Sequence, residues 1–162
     1  MTLAHITPLL QSGPLFRQIA TRRTTHDTVS IAGVPASARP ALLAALAAGA
    51  TAPALIIVPR EDRAERMASA LREWVSPATE VLRWPAPEAL PYEQLPFDRW
   101  EAAHRIAVLD RLRRTDAPSR PIVVASAAAL TRRVMSPNDL ETNTTRLTIG
   151  QRFDPADLQR WL

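Results

Sequence analysis

Apolar and polar residues alternate along this chain in blocks that have the lengths of strands and helices. Residues 54–58 form a continuous apolar run, which predicts a strand buried on both faces of a parallel sheet. Residues 61–75 place apolar side chains three and four positions apart, which predicts an amphipathic helix. Its apolar face would consist of Ala64, Met67, Ala68, Leu71, Trp74 and Val75.

The same pattern predicts further elements of both kinds. Three more strands are predicted at residues 28–31, 80–83 and 121–125. Three more helices are predicted at residues 37–48, from Asp98 onward and at residues 127–133. In the second of these, Ala102, Ile106, Leu109 and Leu112 would share one face. Strands that alternate with helices of this length predict an α/β fold, a parallel sheet flanked by helices with right-handed crossovers.

Changes in composition suggest three parts. Residues 1–27 are expected to form an N-terminal arm or helix, and residues 28–137 the α/β domain. Residues 138–162 would be a linker and the start of a second domain, with a short strand at 146–149 and a helix capped by Asp154. Because barely two turns of that helix follow, the sequence is interpreted as a fragment of a longer protein.

The turn between the first predicted strand and helix lies where a phosphate-binding loop would lie. Such a loop reads G-x-x-x-x-G-K-[ST], with backbone amides around the phosphates, Lys on the terminal phosphates and a hydroxyl on Mg²⁺. Here Gly33 is present, but Ala38, Arg39 and Pro40 replace the second Gly, the Lys and the hydroxyl residue. Pro40 offers neither a hydroxyl nor an N–H. The loop is therefore degenerate, and we expect no nucleotide, cofactor or metal to bind here.

Composition narrows the remaining classes of function. The chain has 162 residues and no Cys, which excludes disulfides and thiolate chemistry. His5, His26 and His104 lack metal-ligand spacing. Its 20 basic residues are all Arg, and the net charge of +4 is compatible with nucleic acid without establishing it. No apolar run approaches the ~20 residues of a membrane span, and residues 1–20 lack the apolar core of a signal peptide, so a cytoplasmic location is expected.

A proline-rich loop contains three aromatic residues and a leucine that are candidates for contacts with a partner. Tyr92, Leu95, Phe97 and Trp100 could form a stacking platform for bases or an interaction loop, although packing against the sheet edge is the preferred interpretation. Two arginine groups could contact phosphates but are better interpreted as solvated helix ends, namely Arg111, Arg113, Arg114 and Arg120, and Arg132 and Arg133. The nearby acids, Glu88, Glu93, Asp98 and Glu101, have no metal-binding partner in sequence.

Five blocks, in order, resemble the N-terminal UvrB-like region of the bacterial transcription-repair coupling factor (Mfd). The most specific is residues 82–112, which contains W-P, E-A-L-P-Y-E-Q-L-P and a helix of the form R-I-x-x-L-x-x-L. The other four blocks are residues 33–46, 56–67, 122–134 and 147–154. Each block is weak alone, and their common order makes the resemblance fairly specific.

The resemblance implies a RecA-like domain that has lost its own ATPase. In that family a separate motor binds ATP and Mg²⁺, translocates on double-stranded DNA, displaces stalled RNA polymerase and recruits UvrA for nucleotide excision repair. The expected partners are thus the remaining domains of the parent protein and, through it, UvrA, RNA polymerase and DNA. Arg39 and Pro40 agree with this division of labour and argue against UvrB itself, which keeps an intact loop.

Two other classes of function remain open on sequence alone. A divergent, stand-alone helicase-like ATPase would bind ATP through the altered loop. A DNA-binding module would show strongly salt-dependent binding, because phosphate contacts release counterions.

Overall fold

A computed structural model describes residues 2–25, 28–87, 99–114, 120–145, 147–152, 154–156 and 159. Within these residues three parallel strands form one sheet in the order β1-β3-β2. The strands are β1 (Ala54–Val58), β2 (Val81–Trp84) and β3 (Ile122–Ser126). In register, Ala54 and Val81 both lie beside Ile122, one on each side of the central strand. The predicted α/β class with a parallel sheet and flanking helices is confirmed.

Six helices accompany the sheet in the described part of the chain. They are α1 (Thr7–Ser12), α2 (Pro14–Thr25), α3 (Arg39–Ala47), α4 (Glu61–Trp74), α5 (Arg99–Arg113) and α6 (Pro137–Thr142). Short 3₁₀ turns lie at Ala4–Ile6, Ala36–Ala38 and Ala128–Leu130. The predicted helices at 37–48 and 61–75 are therefore present with slightly different ends, as differences of one or two residues at helix termini are common.

Helix α4 packs on one face of the sheet and α5 on the other. The first core combines Leu71 of α4 with Ile122 and Val124 of β3. The second combines Val108 of α5 with Val123 of β3 and Trp84 of β2. The connection from β1 to β2 contains α4 and crosses one face of the sheet. The connection from β2 back to β3 contains α5 and crosses the other face. Because both the direction and the face are reversed, the two crossovers have the same hand.

The N-terminal residues form two helices, of which α1 packs against α3 and α2 packs against α1. Thr7 Oγ1 donates a hydrogen bond to the Trp74 carbonyl, 3.1 Å away, at the end of α4. Gln11 Nε2 donates to the Ala45 carbonyl of α3, 3.0 Å away. Ile19 of α2 is buried. The two hydrogen bonds attach α1 to the helices that carry the first core, and α2 packs against α1.

The strand prediction for residues 28–31 is wrong. These residues have no regular secondary structure, none of them pairs with a strand in the described chain, and Ile31 is exposed. A strand-like sequence becomes a strand only when a neighbour takes up its peptide groups. Of the four strands expected in the α/β domain, the described residues contain three, and the loop at Gly33 does not follow a strand of this sheet.

The expected burial of β1 on both faces is also wrong. Leu55 and Ile57 are 54% and 57% exposed, because α5 covers the second face only over β2 and β3. Ala54, Ile56 and Val58 pack against the first core, as predicted for one face.

Smaller differences concern three later segments. The helix expected at 127–133 is only the turn Ala128–Leu130, and residues 147–149 do not form a strand, while Arg146 lies outside the described residues. Within α5 the buried residue is Val108, whereas Ile106 is 44% exposed, so the inward face is rotated from the predicted one. The Asp154 carboxylate accepts a bond from the Ala156 N–H, 2.8 Å away, as an N-terminal cap does.

Helix α6 lies in a segment expected to be a linker. Ser136 Oγ accepts a hydrogen bond from the Asp139 N–H, 3.1 Å away, which caps the helix. Leu140 is buried, and Glu141 lies 3.5 Å from Arg113 of α5. The helix therefore packs on α5, and the proposed division of the chain at residue 137 stays a prediction.

Candidate functional site

The altered loop begins at Gly33 and ends inside the first turn of α3. Gly33 has φ +77°, a left-handed conformation that L side chains rarely adopt. Its open surroundings would accommodate a Cβ, since nothing lies within 4 Å of that position, so the backbone angle alone favours glycine. After this turn the chain forms the 3₁₀ turn Ala36–Ala38 and enters α3 at Arg39.

Two hydrogen-bond donors of the loop bond to backbone carbonyls of the same loop. The Ala38 N–H donates to the Pro35 carbonyl, 3.0 Å away. Arg39 Nε donates to the Val34 carbonyl, 3.3 Å away. Pro35 and Pro40 have no N–H to offer, and Pro40 is buried at the start of α3. A phosphate cradle needs several amides and a cation that converge on a free space. Here Pro35 and Pro40 lack an N–H, while the Ala38 N–H and the Arg39 guanidinium already form hydrogen bonds within the loop.

The position of the loop also differs from that of a nucleotide site. Ligands of open α/β sheets bind outside the carboxyl ends of the strands. Residues 28–32, which lead into Gly33, are not part of the described sheet. The carboxyl ends of β2 and β3 are filled instead by a cluster of side chains that sequence reasoning missed.

That cluster joins Trp84, Arg105 and the turn Ala128–Leu130. Trp84 Nε1 donates to the Ala129 carbonyl, 3.1 Å away, and the Arg105 guanidinium lies 4.3 Å from the centre of the Trp84 ring. Arg105 Nη1 also donates to the Pro85 carbonyl, 3.1 Å away. The Glu101 carboxylate lies 3.8 Å from the same Arg105 nitrogen. The available signals were Trp84, which directly follows the strand predicted at 80–83, and the i, i+4 spacing of Glu101 and Arg105.

Electrostatics of the cluster follow from its burial. Desolvation lowers the pKa of the Arg105 guanidinium from its usual value, while Glu101 raises it and Arg132 lowers it further. An arginine stays charged under such a shift because its ordinary pKa is so high. The Arg105 guanidinium therefore stays charged and forms an ion pair with Glu101 beside the Trp84 ring. Ser126, fully buried at the end of β3, supports the same turn, because its Oγ accepts a bond from the Ala129 N–H at 3.2 Å.

The structure describes only one residue of the aromatic loop. Tyr92, Leu95 and Phe97 lie outside the described residues, and the acids Glu88, Glu93 and Asp98 do as well. Trp100 is 64% exposed, and its ring centre lies 5.1 Å from that of His104. The described residues therefore do not test whether the four loop residues lie together, and their role as an interaction loop stays a prediction.

Several arginines of the proposed phosphate-contacting groups bond to the protein itself. Arg111 forms an ion pair with Glu80, and Arg113 lies 3.5 Å from both Asp110 and Glu141. Arg120 Nε donates to the Thr51 carbonyl, 3.1 Å away. These bonds favour the interpretation that the arginines hold helix and strand ends together.

A second surface feature is an uncovered apolar face beside α5. Leu55 of β1, Leu130 and Val134 line a cavity of about 360 Å³ together with Trp84, Leu109 and Leu112. Leu130 and Val134 are 42% and 53% exposed. Exposed apolar residues that lie together, unlike scattered ones, mark interaction surfaces. Among all the residues that the structure describes, no three or more His, Asp or Glu residues form a group that could hold a metal ion. No helix in that part of the chain is long and apolar enough to cross a membrane.

Comparison with known proteins gives one informative relative. A protein of Myxococcus xanthus named "Transcription-repair-coupling factor" is 29% identical over 157 residues, which cover 94% of this chain and 13% of that protein. The chain is therefore distantly related to a transcription-repair-coupling factor and spans about an eighth of its length. No family model matches the chain, and no solved structure matches it at a significant level.

Proposed function

We propose that this chain is a non-catalytic scaffold and interaction module of a longer transcription-repair coupling factor. The observation that carries the proposal is the relation to such a factor along nearly the whole chain, 94% of it. The blocks that suggested the UvrB-like N-terminal region lie in their expected order along the same stretch. The specific assignment to that region rests on those blocks.

The loop supports a role without nucleotide chemistry. The amide of Ala38 and the cation of Arg39 are bonded inside the loop, and Pro35 and Pro40 provide no amide. In the proposed parent, ATP and Mg²⁺ bind to a separate motor domain. The α/β layer would then be retained for its shape and its surfaces.

The proposed partners are the other domains of the parent protein, UvrA and RNA polymerase. Double-stranded DNA would be bound by the parent motor, in keeping with the intramolecular bonds of Arg111, Arg113 and Arg120. Within this module the exposed apolar face beside α5 is suited to protein contacts, because contiguous apolar area is what such interfaces bury at their centre.

The test starts with the gene. The coding region downstream of Leu162 is expected to continue into a UvrB-like second domain and into a motor with an intact G-x-x-x-x-G-K-[ST] loop. The longer polypeptide should hydrolyse ATP and co-purify with UvrA and RNA polymerase. In it, Arg39→Ala should leave ATP hydrolysis unchanged, as should the control Arg60→Ala, whereas replacing the motor lysine should abolish it. Loss of hydrolysis in Arg39→Ala alone would contradict the proposal.

A further inference from the structure

The net positive charge of the chain is concentrated in its N-terminal part. Residues 1–60 contain five arginines and a single acid, Asp27, whereas residues 61–162 contain fifteen arginines and fifteen acids. The first 26 residues contain no Asp or Glu. The net charge of +4 therefore belongs entirely to the first 60 residues, and the remainder of the chain is neutral as a whole.

The arginines of α2 lack the acidic partners that arginines have elsewhere. Ion pairs in the later part of the chain join Arg66 and Asp62, Arg111 and Glu80, and Arg113 and Glu141. In α2, Arg17 and Arg22 are exposed, and their guanidinium groups form no ion pair or hydrogen bond within the described residues. Where Thr2 meets Glu73, its hydroxyl bonds to the backbone carbonyl rather than to the carboxylate. The charge of α2 is therefore uncompensated in the described chain.

Arg17 and Arg22 lie on one polar side of α2. Gln18, Thr21 and Thr25 are exposed as well, and each lies three or four positions from one of the two arginines, so the five side chains follow the same side of the helix. None of them is acidic. The Gln18 side-chain amide forms no hydrogen bond within the described residues, so it is available as a further donor.

The position of Arg17 is unfavourable for the helix itself. Arg17 lies in the first turn of α2, where the helix dipole disfavours a cation, and this turn contains no acid. A residue that opposes a local stability rule without compensation in its surroundings is typical of a functional surface. The helix is held in place elsewhere, because Ile19 is buried and Arg23 Nη1 donates to the Leu46 carbonyl of α3, 3.3 Å away.

We infer that the polar side of α2 contacts the phosphate backbone of duplex DNA through Arg17 and Arg22. Five helical residues separate the two arginines by about 7.5 Å along the helix axis. Each strand of duplex DNA carries a phosphate about every 3.4 Å of its axis, so both cations can contact one strand at the same time. Backbone contacts of this kind position a protein without reading the base sequence. The inference goes beyond the proposed function, which assigns DNA to a separate motor.

Two other anionic partners fit this surface less well. A helix that binds an anionic membrane inserts its apolar side into the lipid, but the apolar side of α2 contains the buried Ile19 and packs against α1. Single-stranded nucleic acid is bound largely by stacking of its bases on aromatic side chains, and the polar side of α2 contains no aromatic residue. A duplex, which presents regularly spaced phosphates, requires neither feature.

Fluorescence anisotropy of a labelled DNA duplex, titrated with the 162-residue chain, tests the inference. We expect binding that is independent of base sequence, with a dissociation constant of about 10⁻⁶ to 10⁻⁴ M, and that weakens steeply between about 50 and 200 mM salt. The double variant Arg17→Gln/Arg22→Gln should bind about tenfold more weakly at the lower salt. Its plot of log affinity against log salt should be less steep by about 2, because two phosphate contacts are lost.

Two further variants separate the location of the charge from its amount. Arg63→Gln/Arg66→Gln removes the same charge from α4, whose first turn contains Glu61 and Asp62, and should change the affinity by less than about threefold. Arg17→Lys/Arg22→Lys keeps both charges on α2 and should retain the salt dependence, since lysine also binds phosphate. The melting temperature of the Arg17→Gln/Arg22→Gln variant should be unchanged or slightly higher, because Arg17 is unfavourable in its turn.

Four results would overturn the inference. The first is no binding of duplex DNA by the unmodified chain at low salt, which would leave the scaffold proposal intact. The second is an equal loss of affinity in the glutamine variants of α2 and α4, which would show that only the net charge matters. The third is an equal loss in the lysine and glutamine variants of α2. The fourth is binding to vesicles of phosphatidylserine and phosphatidylcholine, but not to DNA, that is lost in Arg17→Gln/Arg22→Gln.

Discussion

The Arg105 guanidinium lies 4.3 Å from the centre of the Trp84 ring, and both side chains donate to the carbonyl of Ala129. This relationship joins the end of β2, the middle of α5 and the turn after β3. It occupies the carboxyl edge of the sheet, where α/β proteins commonly bind ligands. At this part of the edge, the two side chains connect β2, α5 and the turn Ala128–Leu130.

Arg105→Ala should therefore destabilise the chain. The change removes a stacked cation and leaves the Pro85 carbonyl without its charged donor, so we expect a loss of about 1–3 kcal/mol in the free energy of unfolding. Urea denaturation followed by tryptophan fluorescence measures it. The control is Arg66→Ala, whose side chain is 70% exposed in an ion pair with Asp62; exposed pairs contribute roughly 0–1 kcal/mol. Equal losses for the two variants would contradict the role given to Arg105.

Truncating two leucines should distinguish the covered part of the molecule from the uncovered part. Leu71 is 0% exposed in the first core, so Leu71→Ala should cost about 2–5 kcal/mol. Leu55 is 54% exposed, and Leu55→Ala should cost clearly less, about 1 kcal/mol or below, in the 162-residue chain. Chemical denaturation of both variants checks this order. A larger loss for Leu55→Ala would show that its face is covered in solution.

Removing the cap of α6 tests whether this helix belongs to the folded layer. Ser136→Ala deletes the oxygen that accepts from the Asp139 N–H, and we expect a loss of about 1 kcal/mol. Thermal unfolding measures the change, and Ser136→Asn, which can still cap, should restore most of the stability. If Ser136→Ala leaves the unfolding transition unchanged, α6 does not unfold together with the rest.

The elements that sequence reasoning located well are those with a strong local pattern. Residues 54–58 were predicted with the bounds observed for β1, and the apolar spacing of α4 placed Leu71 in the core. Residues 28–31 were misjudged because their strand pattern is local, while pairing depends on a neighbour that the described chain does not supply. The exposure of Leu55 and Ile57 depends likewise on how far α5 extends across the sheet, which no local pattern encodes.

Some features of the candidate site could be identified from the sequence, and others depend on the tertiary fold. The substitutions at Ala38, Arg39 and Pro40 could be identified residue by residue, because a phosphate loop has a fixed spacing. The bond from Arg39 to the Val34 carbonyl could not, since several rotamers of a long side chain fit the same sequence. The Trp84–Arg105 cluster joins residues from two elements and a distant turn, so only the tertiary fold brings it together.

The most direct test of the scaffold account is the binding of ATP with Mg²⁺ to the isolated 162-residue chain. Isothermal titration calorimetry, together with melting curves at increasing ATP, should show no saturable binding and no stabilisation that rises with ligand concentration. Arg39→Ala and the control Arg60→Ala should behave like the unmodified chain. Saturable micromolar binding that is lost in Arg39→Ala but kept in Arg60→Ala would contradict the account and identify the loop as a working nucleotide site.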